Sequence, residues 1–514
     1  MQRRAQRAQA LALLFSGLVA GCDNDLSSTR ATEASVSQIQ ATASEQIVNS
    51  FIDIVELQGA DLQKVGAVEF TIEPKSGSVS KPVHVQYSMG ALERRGYVDF
   101  ASDSDGKQVK VPVFGLYAGY ENNVSLQLHF QDGSVATLPV VIQTAPYTDP
   151  NGIYDHPDIL TKRAAGTTLG FDFFVLKPAY GSPVIVDTDG EIRWLVAREG
   201  NSGSSTIQGD MFIIGDSGSP DIFELRLDGT LSQYSLGSPV YTNFHHNIDP
   251  GKSGLFAEVN ATDAANPSIT DVQSIAIEIS SSGSLFHQWD LGAILSAYMS
   301  AHGDDPGAFV RPGLDWFHMN ATTYDPSDDS IIVSSRENFL IKLDYNTGGI
   351  RWILGDPTKY WYTFASLRAK ALTLQAGGLY PIGQHAVSIT SDGLVMVFND
   401  GLGSVGQPPG APAGESRTYS AVSAYSIDAT TASAQEVWRF DYNQSIFSPI
   451  CSSAYEASGN SLLVDYATAD NDTHARLVGL DSGHNVVFEF EYPTTGCNTA
   501  WNAIPISLDN LSII

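Results

Sequence analysis

The chain has 514 residues, with 28 lysines and arginines against 57 aspartates and glutamates, a formal charge of −29. That balance excludes a nucleic-acid partner, which would need clustered cations to neutralise phosphates. The length exceeds what one small core can organise, and 46 glycines and 24 prolines among short Val, Ile, Phe and Tyr runs favour many strands, in two or three domains or one large all-β unit.

The chain opens with "MQRRAQRAQALALLFSGLVAGC". A basic start (Arg3, Arg4, Arg7), an apolar run from Leu11 to Ala20 and small residues before Cys22 make residues 1–21 a signal peptide, too short for a stable membrane span. The closing Val19-Ala20-Gly21-Cys22 resembles the bacterial lipoprotein box. It implies lipidation of Cys22 and a membrane-anchored lipoprotein facing the periplasm; an ordinary secretory signal is the alternative. Residues 22–48, rich in Ser, Thr, Ala and Gln, read as a flexible tether. Over residues 49–146, short runs such as "AVEFTIEP", "PVHVQYSM" and "VSLQLHF" alternate with turn residues, which predicts a small β-sandwich of immunoglobulin type. His84 and His129 stand alone within these strand patterns and read as packing or surface residues.

Residues 150–514 repeat. A strand-turn-strand unit recurs as "VIVDTDGEIRW", "FELRLDGTLSQY", "IAIEISSSGSLFHQW", "LIKLDYNTGGIRW", "AYSIDATTASAQEVW" and "RLVGLDSGHNVVFEF". Each ends on an aromatic, and none can bury both faces without a neighbour, so the pattern predicts a six-bladed β-propeller. "NAIPISLDN" near the C-terminus is expected to add a strand to the first blade and close the ring. Two insertions, "LGAILSAYMSAHG" and "FASLRAKALTLQAGG", read as helical. Beyond Cys22 the cysteines are Cys451 and Cys497, an even number in an exported protein. That suggests a disulfide, with two independent buried thiols as the alternative.

The innermost strand of successive blades carries a histidine at matched positions: His245 or His246 in "NFHHN", His318 in "WFHMN" and His385 in "GQHA". Strand alternation allows only one of His245 and His246 to face the axis; the downstream turns favour His246. Three imidazoles could hold a metal, but Arg336, 18 residues after His318, is a fixed cation that would weaken one. Histidine, arginine and the Asn320 amide together suit an anion with several oxygens, so no metal and no cofactor are expected. "PGKSG" at 250–254 lacks the first glycine of a phosphate loop, and no G-x-S-x-G elbow or H-E-x-x-H is present.

"DWFHMN" followed by "SSR", with "FHHN" and "GQHA" in order on one repeat architecture, resembles the bacterial arylsulfotransferases over most of the chain. The resemblance implies an aryl-sulfate sulfotransferase that moves a sulfuryl group from a phenolic sulfate ester to a phenol by a ping-pong route through sulfohistidine, without phosphoadenosine phosphosulfate. It implies His385 as nucleophile, His318, Asn320 and Arg336 on the sulfuryl oxygens, and His246 or His245 in proton transfer. The partners are then an aryl sulfate donor and a phenol acceptor. A non-catalytic ligand-binding propeller and a metal-dependent propeller hydrolase are the competing readings. The sequence is silent on oligomeric state, and a homodimer stays open.

Overall fold

The computed structural model describes residues 39–44, 48–100, 108–198, 200, 202–238, 240–263 and 266–514. The leader, residues 1–21, and Cys22 lie outside them. Among the described residues no helix is long and apolar enough to cross a membrane.

Two sheets form the N-terminal domain. One runs Gln40–Ala43, Ile52–Gln58, Gln108–Phe114, Val98–Asp99; the other runs Leu511–Ile513, Val83–Ser88, Val65–Ile72, Glu121–Phe130, Val135–Gln143. Alternate residues of Val65–Ile72 and Val83–Ser88 turn inward, and Val68, Phe70, Val85 and Tyr87 are buried, as a two-layer sandwich requires. Two boundaries differ from expectation. Gln40–Ala43, inside the stretch read as tether, pairs antiparallel with Ile52–Gln58, because an open sheet edge offers its backbone groups a partner that polar composition does not reveal. Leu511–Ile513, inside the stretch assigned to the propeller, pairs parallel with Val83–Ser88.

Among the described residues six further sheets follow, antiparallel apart from one short edge pairing. The first blade comprises Phe173–Lys177, Val184–Asp187 and Ile192–Trp194, and its inner edge is filled by Asn502–Ile506 from the C-terminus, paired with Phe173–Lys177. This is the expected closing strand. The inner strands of the second to sixth blades are Ser205–Gln208, Tyr241–Pro250, Met319–Asp325, Gln384–Ile389 and Ser453–Ala457.

The aromatic that ends each repeat has one physical job, which is to fasten its blade to the next. Trp194 Nε1 donates to Leu227 O on the second blade (2.9 Å), and Tyr234 Oη donates to Ser281 O on the third (2.8 Å). Trp289 Nε1 donates to Tyr345 O on the fourth (3.2 Å), and Trp352 packs in one cluster with Val387, Val395 and Tyr425 of the fifth. Trp438 lies 4.4 Å from the His484 ring of the sixth, and Phe490 stacks on Phe174 of the first (6.3 Å), completing the ring.

The first insertion is the helix Leu291–Ala301, capped by the Asp290 side chain on Ala293 N and burying Leu291, Leu295 and Met299. The second is helical only at Ala365–Arg368. Thr373–Leu374 instead runs parallel beside Ser433–Phe440, where a free sheet edge outweighs modest helix propensity. Cys451 and Cys497 form a disulfide, Cα atoms 6.4 Å apart.

Trp194→Ala removes a fully buried indole and one inter-blade hydrogen bond, so it should cost about 3–5 kcal/mol. Tyr234→Phe, losing one exposed hydrogen bond, should cost about 1 kcal/mol or less. Urea denaturation of both variants checks the ranking.

Candidate active site

The inner strands of the third, fourth and fifth blades lose their ladder register at matching places. The shifts fall between His245 and Ile248, Met319 and Ala321, and His385 and Ser388. A residue in left-handed conformation stands inside or just before each: His246 (φ 54°), His318 (φ 52°) and Ala386 (φ 50°). Bulges of this kind re-aim side chains, and strain held in non-glycine residues clusters where geometry is functional. They also overturn the expectation that one of His245 and His246 must turn away. Within the bulge the two rings meet, Nδ1 to Nδ1 at 2.9 Å.

His246 is the more central of the pair. Its ring lies 4.8 Å from that of His318 and 5.2 Å from that of Trp501. Burial, then the fields of His318, His245, His385 and Arg336, hold it well below the usual imidazole range. Burial, then His318, pushes His245 down to about 3. His318 is partly exposed, and its Nδ1 faces Asp315 Oδ2 at 2.6 Å. A carboxylate accepts, so Nδ1 carries a proton and Nε2 is the nitrogen left for exchange with the cluster.

His385 is 5% exposed, with Nδ1 at 2.9 Å from Gly383 O. A carbonyl only accepts, so Nδ1 donates and Nε2 is left as a lone-pair nitrogen. Burial and the Arg336 cation hold this imidazole well below its usual range, hence neutral at physiological pH.

Arg336 is 3% exposed and held from three sides: Glu337 Oε1 at 3.0 Å, Asp400 Oδ2 at 3.1 Å and Pro449 O at 3.3 Å. Glu337 also accepts from Val405 N and Gly406 N. Lys359, pushed down to about 8 by burial, donates to the carbonyls of Arg336 and Glu337. Gly383 has φ +58°, and a Cβ there would sit 1.7 Å from Asp400 Oδ1, so "GQHA" begins with glycine for a steric reason.

The structure thus gathers His245, His246, His318, Arg336 and His385. Asn320 uses one of its two amide N–H groups on Gln384 O (2.8 Å), tying the fourth blade to the residue before His385. Sequence reasoning missed Asp315, Glu337, Asp400, Lys359 and Trp501. Asp315 stands inside "DWFHMN", and Asp400 follows the second strand of its blade as Arg336 does in its own, so repeat alignment carried a signal for both. Lys359 and Trp501 arrive from loops and carried none.

Gly383→Ala should push Asp400 away and abolish the arrangement around His385. The expected result is a loss of about 2 kcal/mol or more in stability with activity reduced at least about 100-fold, checked by denaturation and initial rates.

The chain matches the family model described as arylsulfotransferase (ASST) over residues 162–502, and that of the arylsulfotransferase Ig-like domain over residues 57–145. It is 24% identical over 511 residues to arylsulfate sulfotransferase AssT of Escherichia coli O6:H1 (strain CFT073), across 80% of this chain and 82% of the relative. It is 24% identical over 537 residues to arylsulfate sulfotransferase AssT of Lelliottia amnigena, across 85% and 84%. Among solved structures, the β-propeller domain of Myceliophteria thermophila Cps50 (Swd1) aligns at a TM-score of 0.34 and 12% identity, covering 66% of this chain and all of that one. With the matched region spanning the three blades that hold His246, His318, Arg336 and His385, the chain belongs to the arylsulfotransferase family and is a transferase.

Proposed function

We propose that the protein transfers a sulfuryl group from a phenolic sulfate ester to a phenol by a ping-pong route through sulfated His385. The observation that carries this is the fixed tautomer of His385: Nδ1 is committed to Gly383 O, leaving a neutral, buried Nε2 beside a guanidinium.

In the first half-reaction Nε2 attacks sulfur, and the sulfur–oxygen ester bond breaks with its electron pair on the departing phenol oxygen. Arg336 faces the sulfuryl oxygens and offsets the charge that spreads over them in the transition state. The Asp315–His318 pair and His246 stand where the phenol oxygen leaves. His318, oriented by its carboxylate, enters with a proton on Nε2, gives it to that oxygen, and regains one from the incoming phenol in the second half-reaction, which reverses the chemistry. Asn320 acts by holding Gln384 and with it the strand of His385. A fixed cation among the histidines argues against a resident metal, and the neutral nucleophile needs none.

The leader and Cys22 support placing this activity in the periplasm on a lipid anchor. Labelling with palmitate, lost on Cys22→Ser, tests that placement.

A chromogenic aryl sulfate with varied phenol should give parallel double-reciprocal lines. His385→Ala should abolish turnover with folding retained, Arg336→Gln should lower kcat by about 100- to 1,000-fold, and chelators should change nothing. Intersecting lines would remove the covalent route, and a chelator-sensitive rate would favour the metal-dependent hydrolase.

A further inference from the structure

We propose that Asp400 is a positioning residue for the transfer step, the fixed counter-charge that makes a sulfated, positively charged His385 ring tolerable beside Arg336. The inference rests on the sulfohistidine reading above and adds a residue to it.

The chemistry creates the need. When Nε2 bonds to sulfur, the aryl oxygen leaves with the ester electron pair and the Nδ1 proton stays in place, so the imidazole ring gains one positive charge. That charge appears in a site with a permanent cation, Arg336, whose field already disfavours a protonated His385. Unless something offsets it, the arginine that stabilises the sulfuryl oxygens would oppose the intermediate it helps to form.

Asp400 stands between the two. Its Oδ2 lies 3.1 Å from Arg336 Nη2 and 4.0 Å from His385 Nδ1. The carboxylate cannot drift: it is fully buried, Oδ1 accepts from Leu402 N at 2.7 Å, and its own N–H donates to Gly383 O at 3.2 Å. The same Gly383 carbonyl therefore receives the Nδ1 proton of His385 and the backbone of Asp400, which locks the two residues into one unit. The space for the carboxylate exists only because residue 383 lacks a side chain. A purely structural partner for Arg336 would not need this placement, because Glu337 already pairs with the guanidinium at 3.0 Å.

The groups facing Asp400 are Arg336, Lys359, His385 and, through Arg336, Glu337. Burial lifts its carboxyl to about 7, whereas His385 and His246 lie well below that and Lys359 lies near 8. Below pH of about 7 Asp400 takes up a proton and its counter-charge is lost.

The test is the pre-steady-state burst of the full, oxidised chain with 4-nitrophenyl sulfate. In wild type the sulfation rate should fall as pH drops from 8 to 6. Asp400→Asn should sulfate about 100- to 1,000-fold more slowly, keep KM for the donor within about threefold and lose the pH dependence. An Asp400→Asn burst at the wild-type rate, or a raised KM with kcat unchanged, would overturn the proposal. If the variant does not fold, the wild-type profile decides: a burst rate flat between pH 6 and 8 overturns it. A wild type with no burst at any pH would instead sink the sulfohistidine reading.

Discussion

Arg336 is a guanidinium carried into a dry interior, and much of the fourth and fifth blades is arranged around keeping it there. An isolated buried cation is prohibitive, and removing one partner of a buried pair costs about 3–5 kcal/mol. Glu337, Asp400 and the Pro449 carbonyl share that burden. Each of them in turn dictates other structure. Glu337 draws the backbone of Val405 and Gly406 over the site, Asp400 demands a glycine at 383, and Pro449 is held near by the Cys451–Cys497 bridge two residues on. The setting of Arg336 is thus inseparable from the packing of three blades and one crowning loop.

The ring provides the rigidity that such a site needs. The third, fourth and fifth blades carry the inner-strand bulges, and each outer hairpin ends on an aromatic that touches the next blade. The chain's last strands add two further ties, with Asn502–Ile506 completing the first blade and Leu511–Ile513 joining the N-terminal sandwich. Trp501, just before the closing strand, rests against His246. Ring closure and the arrangement of the histidines are therefore mechanically linked.

The repeats were legible in the sequence because their cause is local: an alternating strand, a tight turn and a terminal aromatic recur whenever a hairpin must bury both faces. Matched repeat positions likewise exposed His318, His385 and the His245–His246 pair. What stayed hidden depended on departures from regularity. Alternation along an ideal strand assigns His245 and His246 to opposite faces, and only the bulge at His246 brings them together. Asn320 reads from the sequence as an anion ligand, and its second role, donating one amide N–H to Gln384 O, shows only in the folded chain. The short strands Gln40–Ala43 and Thr373–Leu374 form because an edge was available, which composition does not encode. Asp315 and Asp400 sat in plain view, yet their roles follow from distances to His318 and His385.

The central claim is that His385 Nε2 carries the sulfuryl group. Mass spectrometry of enzyme treated with donor in the absence of acceptor, quenched under alkaline conditions and digested, addresses it directly. The account predicts the added sulfuryl mass on the peptide containing His385, discharged when phenol is supplied before the quench. The same mass on a peptide carrying His246 or His318 instead, or on none, would contradict it.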